Sequence, residues 1–212
     1  MLKMCRVWIA VIVMLTIAGT AALGDVQTPS CRMALLIIDV QNAWAANARA
    51  LTIDRVRIAN RTSEIAATAR AAGIPVIFIL DISMRDQYSA WGLSLADPLE
   101  VCDGDAMVEK RYPNGFVRTS LEAQLEELGV TTLLISGFAS DACVRATVQG
   151  AVWSGFDVII LEDGHSGGNG GRTASSMNDY WRSQGIEVTA STALDWPSLC
   201  APASPSTEQS AP

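Results

Sequence analysis

The chain has 212 residues, half of them hydrophobic and 17% charged, with a formal net charge of −7. That length buries a full-sized core in one domain. The acidic balance excludes nucleic acid as a partner, because binding phosphates needs clustered Lys and Arg, and a small-molecule ligand is expected instead.

In chain order, residues 1–24 read as a signal peptide. "MLKMCR" supplies positive charge, "VWIAVIVMLTIA" an apolar run, and Ala22-Leu23-Gly24 a small-x-small cleavage pattern. A membrane anchor is the alternative, and the apolar run is shorter than the ~20 residues that span a bilayer. The expected location is therefore periplasmic or secreted, with membrane contact only through an uncleaved N-terminus. Translation from Met33 would make the protein cytoplasmic. Cleavage removes Lys3 and Arg6 and no acid, taking the charge from −7 to −9. It leaves Cys31, Cys102, Cys143 and Cys200, of which Cys31 and Cys200 flank the folded region and form a candidate disulfide.

Residues 25–32 read as a linker and 33–199 as the domain. "MALLIIDV" (33–40) is a continuous apolar run, hence a buried strand. Residues 52–72 place Ile53, Val56, Ile65, Ala66, Ala69 and Ala72 at largely helical spacing, and Gly73 and Pro75 end that helix. "VIFILDI" (76–82) is the second strand, followed by an irregular stretch over 83–105 of the length usually found beside a functional site. "AMVEK" (106–110) is a short third strand, and Thr119-Ser120-Leu121-Glu122 has the form of a capping box opening a helix that Gly129 closes. "TTLLIS" (131–136) is the fourth strand, the helix carrying Cys143 follows, and "DVIILE" (157–162) is the fifth. The glycines of "DGHSGGNGG" predict a flexible turn, after which come a helix over 172–184 and a last strand, "IEVTA" (186–190). The tail from 200 to 212 has nothing to bury and is expected to be disordered. Strands alternating with helices define an α/β domain, doubly wound, with a six-stranded mostly parallel sheet covered by helices on both faces.

In such a sheet ligands bind beyond the carboxyl ends of the strands. Asp39 closes the first strand, Lys110 the third, and Cys143 follows the fourth at a helix N-terminus. Singly, each has an ordinary structural explanation: a turn cap, a solvated lysine, an apolar cysteine. Jointly placed, they suit nucleophilic attack on a carbonyl carbon. A helix N-terminus and a nearby ammonium favour thiolate, with pKa values of ~3.5–7.5 at such sites. Asp39 can take the thiol proton and return it to a leaving amine. Backbone N–H groups at Cys143 and in the turn before it can hold the developing oxyanion. Trp44, Trp91 and Phe116 are candidate pocket walls, and Asn42 and Ser140 candidate substrate hydrogen-bonders. His165 is either the base of a Cys-His pair, a polar contact at the pocket edge, or a cap on the glycine-rich turn.

Three segments in order, "ALLIIDVQNAW", "VEKRYPNGF" and "ISGFASDACVRATVQGAVWSGFDVIILEDG", make the chain resemble the isochorismatase-like cysteine hydrolases over about residues 33 to 190. The resemblance implies a triad of Asp39, Lys110 and Cys143 and a thioester intermediate in the cleavage of an amide or related C–N bond. It further implies a cis peptide between Phe138 and Ala139 that turns the amides of Ala139 and Cys143 toward the oxyanion, and a homo-oligomer, dimer or tetramer. Nicotinamidases of this family hold a metal with an Asp-x-His pair and further histidines, whereas His165 is the only histidine here. No metal and no cofactor are therefore expected. The pattern is similar to that of N-carbamoylsarcosine amidohydrolase, on the amidase side of the family. The expected function is hydrolysis of a small amide, ureido or carbamoyl compound. The alternatives are an isochorismatase-type vinyl ether hydrolase, which needs no thiol, and a non-catalytic exported binding protein on the same scaffold.

Overall fold

A computed structural model describes residues 32–43, 52–167 and 173–200. The expected signal segment, Cys31, Trp44 and the tail beyond 200 lie outside the described residues. Six strands are present: β1 (Met33–Ile38), β2 (Val76–Asp81), β3 (Ala106–Lys110), β4 (Thr132–Phe138), β5 (Asp157–Ser166) and β6 (Glu187–Thr189). They form one sheet in the order β3-β2-β1-β4-β5-β6. Every neighbouring pair is parallel.

The period of two along the strands divides the core. On β1, Ala34, Leu36 and Ile38 face one layer, while Leu35 and Ile37 face the other. The first layer is closed by α3 (Leu121–Glu127), α4 (Arg145–Trp153) and α5 (Ala174–Ser183) through Leu121, Leu125, Val148, Ala151, Met177 and Trp181. The second is closed by α1 (Thr52–Ala71) through Ile58, Ala59, Ile65, Ala66 and Ala69, and by Trp196 of the short α6 (Trp196–Leu199). Among the described residues no helix is long and apolar enough to cross a membrane.

Several details differ from the sequence reading. Val56, expected on the buried stripe of α1, is 54% exposed. The capping box is not formed, because the Thr119 hydroxyl donates to Gly115 O and accepts from Leu121 N, leaving Ser120 at the cap position without a side-chain cap bond. The long stretch after β2 contains a one-turn helix, α2 (Ala90–Leu93), capped by Ser89 Oγ. Cys102 and Cys200 are both disulfide-bonded, and Cys143 is the free thiol among the described residues. The candidate pair Cys31–Cys200 did not include Cys102, and Cys31 lies outside the described residues.

The largest difference is in β5. The predicted turn at Asp163–Ser166 is strand, its residues His165 and Ser166 pairing with Gly137 and Phe138 after a register shift. Gly164 permits this: a Cβ there would come within 3.0 Å of Ile65 Cδ1 and Ser136 Oγ. Gly137 is equally constrained, with φ of 135° and a Cβ position that would run into the Ile38 backbone, 2.7 Å from its nitrogen. Gly137→Ala therefore combines a conformation L-residues avoid with a backbone clash. The expected loss is about 3 kcal/mol or more, checked by chemical denaturation; a midpoint equal to wild type would contradict it.

Candidate active site

The carboxyl ends of β3, β2, β1 and β4 lie side by side, and each delivers one polar group to the same place. Asp39, just past β1, has φ of 52°, a left-handed conformation that aspartate tolerates better than most residues. Gln41 N closes that turn by donating to Asp39 O at 2.9 Å. Lys110, the last residue of β3, is 1% exposed although charged. Its ammonium lies 2.8 Å from Asp39 Oδ2 and donates to Cys143 Sγ at 3.4 Å. Three residues spread over a hundred positions of chain thus meet around one nitrogen.

A fourth group stands with them. Asp81, in register with Lys110 across β2 and β3, puts Oδ2 3.7 Å from the same ammonium. Its Oδ1 accepts from Ser83 N at 2.7 Å. Gln41 holds the strand end, accepting from Asp81 N at 2.8 Å and donating to Asp81 O at 3.3 Å and Leu93 O at 2.7 Å. The sequence reading passed over both residues. The rule that found Asp39 and Lys110, a charged residue closing a buried strand, points equally to Asp81 in "VIFILDI".

Cys143 sits in a π-helical turn, Ser140–Val144, that precedes α4. The peptide between Phe138 and Ala139 is cis. Ala139 O accepts from Ala142 N at 3.0 Å and Val144 N at 3.2 Å, which winds the backbone of 139–143 around the half-buried thiol.

Burial sets the proton positions. It is the largest influence on Asp39, raising its pKa to about 6 against the opposing pull of Lys110. Burial also pushes the Cys143 thiol up to about 12, and the Asp39 carboxylate adds to that rise. This corrects the expectation of a thiolate at rest. The Lys110 charge is closer to the Asp39 oxygen than to sulfur, so its pull on the thiol is outweighed. Burial alone would lower Lys110, yet Asp39, Cys143 and Asp81 together raise it, so the ammonium stays charged. Neither oxygen of Asp39 accepts a well-aligned hydrogen bond, although the ammonium is at ion-pair distance. Near neutral pH the site therefore holds a thiol beside a carboxylate with room to accept its proton.

One oxygen each from Asp39 and Asp81 and the Cys143 sulfur lie within 4.8 Å of one another, a spacing compatible with a cation. The Lys110 ammonium already stands among them at 2.8, 3.4 and 3.7 Å, so the counter-charge is built into the chain.

The other candidate residues are elsewhere engaged. Asn42 Nδ2 donates to Trp91 O, Ser94 Oγ and Leu95 O, which makes it a tether for the 89–95 loop. Trp91 is 60% exposed. Phe116 is half-buried and packs against the core beside Phe156, the residue before β5. Ser140 Oγ is fully buried against His165 Nδ1 at 2.8 Å, and His165 Nε2 meets Asn178 Oδ1 at 2.7 Å. Bound on both ring nitrogens, His165 is not the partner of Cys143.

Fold and site together define a three-layer, doubly wound α/β protein with a carboxylate–ammonium–thiol cluster at the carboxyl edge of its sheet. Residues 33–193 match the isochorismatase domain, and the chain belongs to that family. Streptothricin hydrolase from Streptomyces noursei is 34% identical over 138 residues, which cover 63% of this chain and 49% of that protein. The chain thus spans about half the length of that relative. N-carbamoylsarcosine amidase from Arthrobacter sp is 27% identical over 151 residues, covering 61% of this chain and 57% of that one. Among solved structures, an isochorismatase family protein from Desulfovibrio vulgaris subsp. vulgaris str. Hildenborough superposes with a TM-score of 0.69 at 26% identity, covering 77% of this chain and 96% of that one.

Proposed function

We propose that the protein is a cysteine hydrolase cleaving a C–N bond of a small amide, ureido or carbamoyl compound. The observation that carries this reading is the single ammonium of Lys110 lying 2.8 Å from a buried carboxylate and 3.4 Å from a half-buried thiol. As Sγ attacks the carbonyl carbon, Asp39 takes the thiol proton, and the C=O electron pair moves onto oxygen. Backbone amides of Ala139 and Cys143 receive that charge. The tetrahedral intermediate collapses, the C–N bond breaks, and Asp39 returns the proton to the departing nitrogen. A thioester remains, or a thiocarbamate from a ureido substrate. Water then adds with Asp39 again as base, and the acid and free thiol are released. Lys110 keeps a positive charge beside carboxylate and sulfur throughout, and the name of one relative, N-carbamoylsarcosine amidase, agrees with the C–N assignment.

Cys143→Ala tests this directly. In a panel of small amides and ureides read by ammonia release, the variant is expected to lose activity by about 10³-fold or more, in the range for removing a nucleophile. Wild type quenched during turnover is expected to carry an acyl adduct on Cys143 by intact mass. Undiminished ammonia release by the variant would remove Cys143 as the nucleophile; hydrolysis of isochorismate by wild type and variant alike would favour the vinyl ether reading, and a wild type inactive on all of these the binding-protein one.

Export belongs to the same proposal. Two disulfide-bonded cysteines, Cys102 and Cys200, support an oxidising compartment. Protein recovered from outside the cytoplasm is expected to begin at Asp25, read by N-terminal mass spectrometry; a start at Met33 would sink this part.

A further inference from the structure

His165 is the only histidine of the chain, and the mechanism above leaves it unused. It is nevertheless held on all sides. Its Nε2 lies 2.7 Å from Asn178 Oδ1 on α5, its Nδ1 2.8 Å from Ser140 Oγ in the π-helical turn, and Trp181 packs edge-on at 5.0 Å. Ser140, His165 and Asn178 are 0%, 1% and 4% exposed. They come from three separate elements, the turn, β5 and α5.

The two bonds have a fixed polarity. Asn178 Oδ1 can only accept, so Nε2 carries the ring proton; Nδ1 then keeps its lone pair, and the Ser140 hydroxyl donates to it. Burial lowers the His165 pKa to about 4, with Arg57 pushing the same way, while Asn178, Glu162 and Asp163 oppose. Asp163 is itself paired with Arg61 and accepts from Ser191. The neutral ring, and with it this polarity, therefore persists at neutral pH. The end of β5 is anchored a second time, where Ser136 Oγ donates to Gly164 O at 2.6 Å.

We propose that Asn178, His165 and Ser140 form a positioning chain that locks the turn bearing Cys143 against β5 and α5, keeping its backbone amides aimed at the substrate oxygen. The inference rests on the cysteine-hydrolase reading. Ser140 lies between Ala139 and Cys143, the two residues whose amides take up the oxyanion, so a fixed hydroxyl there fixes both. Neither His165 nor Asn178 touches the reacting atoms. Because charge on the oxygen develops only in the transition state, loosening the turn reduces kcat and leaves substrate binding nearly intact.

Ser140→Ala removes one hydrogen bond, and His165→Phe keeps the ring against Trp181 while losing both. Each is expected to lower kcat about 10- to 100-fold, less than outright loss of an oxyanion donor, with KM changed by less than about threefold. Asn178→Asp places a carboxylate on Nε2–H, which stabilises the imidazolium. When His165 takes its second proton, Nδ1 becomes a donor and the Ser140 hydroxyl loses its acceptor, so kcat gains a further acid-side ionisation, that of His165, beside the limb Asp39 gives wild type. NMR of tag-free protein reads the ring without ambiguity, since there is one histidine. Wild type is expected to show a neutral Nε2–H ring at neutral pH, and Asn178→Asp a ring that titrates at higher pH than wild type.

A wild-type ring titrating near 6.5, full kcat in Ser140→Ala, or superimposable pH profiles of wild type and Asn178→Asp would each overturn the proposal. Cys143→Ala assayed alongside separates the levels. If it is inactive while Ser140→Ala is fully active, only the positioning chain falls. If it matches wild type, the hydrolase reading falls.

Discussion

Asp39→Asn is expected to reduce kcat/KM by about 10³-fold or more while making Cys143 easier to alkylate. General-base catalysis contributes roughly 10²–10⁴-fold, and the upper part of that range applies here because burial leaves almost no thiolate in reserve, the thiol being pushed up to about 12. The Asp39 charge is one cause of that elevation, so removing it lowers the thiol pKa while Lys110 still donates to sulfur. Reaction with iodoacetamide near pH 8 should therefore speed up as hydrolysis collapses, in a protein whose thermal midpoint stays close to wild type. In wild type, kcat/KM should rise with pH through an apparent pKa near 6, as the raised carboxyl of Asp39 ionises, a value that belongs to the coupled pair. A wild-type acid limb near the ordinary carboxylate value, or unchanged turnover in Asp39→Asn, would remove Asp39 from the mechanism.

Lys110→Met should both abolish activity and destabilise the fold. The ammonium is buried between Asp39 and Asp81, and stripping the counter-charge from a buried cluster costs about 3–5 kcal/mol. For a domain of this size that corresponds to a fall in Tm of roughly 6–20 °C near pH 7. The pH dependence has a definite sign. Lys110 lowers the Asp39 pKa against burial, so its removal sends that carboxyl further above 6. A folded-state pKa above the unfolded value means stability fully present below the unfolded pKa and lost as pH rises through the folded one. The variant should thus approach wild-type stability toward about pH 4, where the raised Asp39 carboxyl is neutral in the folded state of both proteins, and diverge as pH rises through 6 and beyond. A thermal scan series from pH 4 to 8 checks this, and equal midpoints at pH 7 would show that the ammonium is not the counter-charge described.

These expectations rest on features of unequal visibility in the sequence. The strands were legible because a parallel sheet buried on both faces demands unbroken apolar runs, and "MALLII", "VIFIL" and "TLLIS" can be little else. Asp39, Lys110 and Cys143 were legible for a related reason: a charged or nucleophilic residue directly after such a run must sit at the sheet's carboxyl edge. The same logic covered Asp81, which was passed over because no motif singled it out. The pocket-wall candidates were less legible for a different reason, and Trp44 among them lies outside the described residues. Strand-end position says nothing about which way the next loop turns, and the loops spend Asn42 on their own carbonyls, pack Phe116 against the core and leave Trp91 in solvent.

The sequence by itself determined the α/β class, the six strands and the three residues that meet. Local chemistry fixes these, since hydrophobic period and strand ends are properties of consecutive residues. Only the tertiary structure decided the electrostatics and the supporting contacts. Depth of burial turned an expected thiolate into a thiol beside a carboxylate raised to about 6. The extension of β5 under the Cys143 turn converted an apparent glycine-rich loop into the seat of His165. Both depend on what lies across space from a residue, because desolvation and hydrogen-bond partners are set by neighbours that no spacing along the chain records.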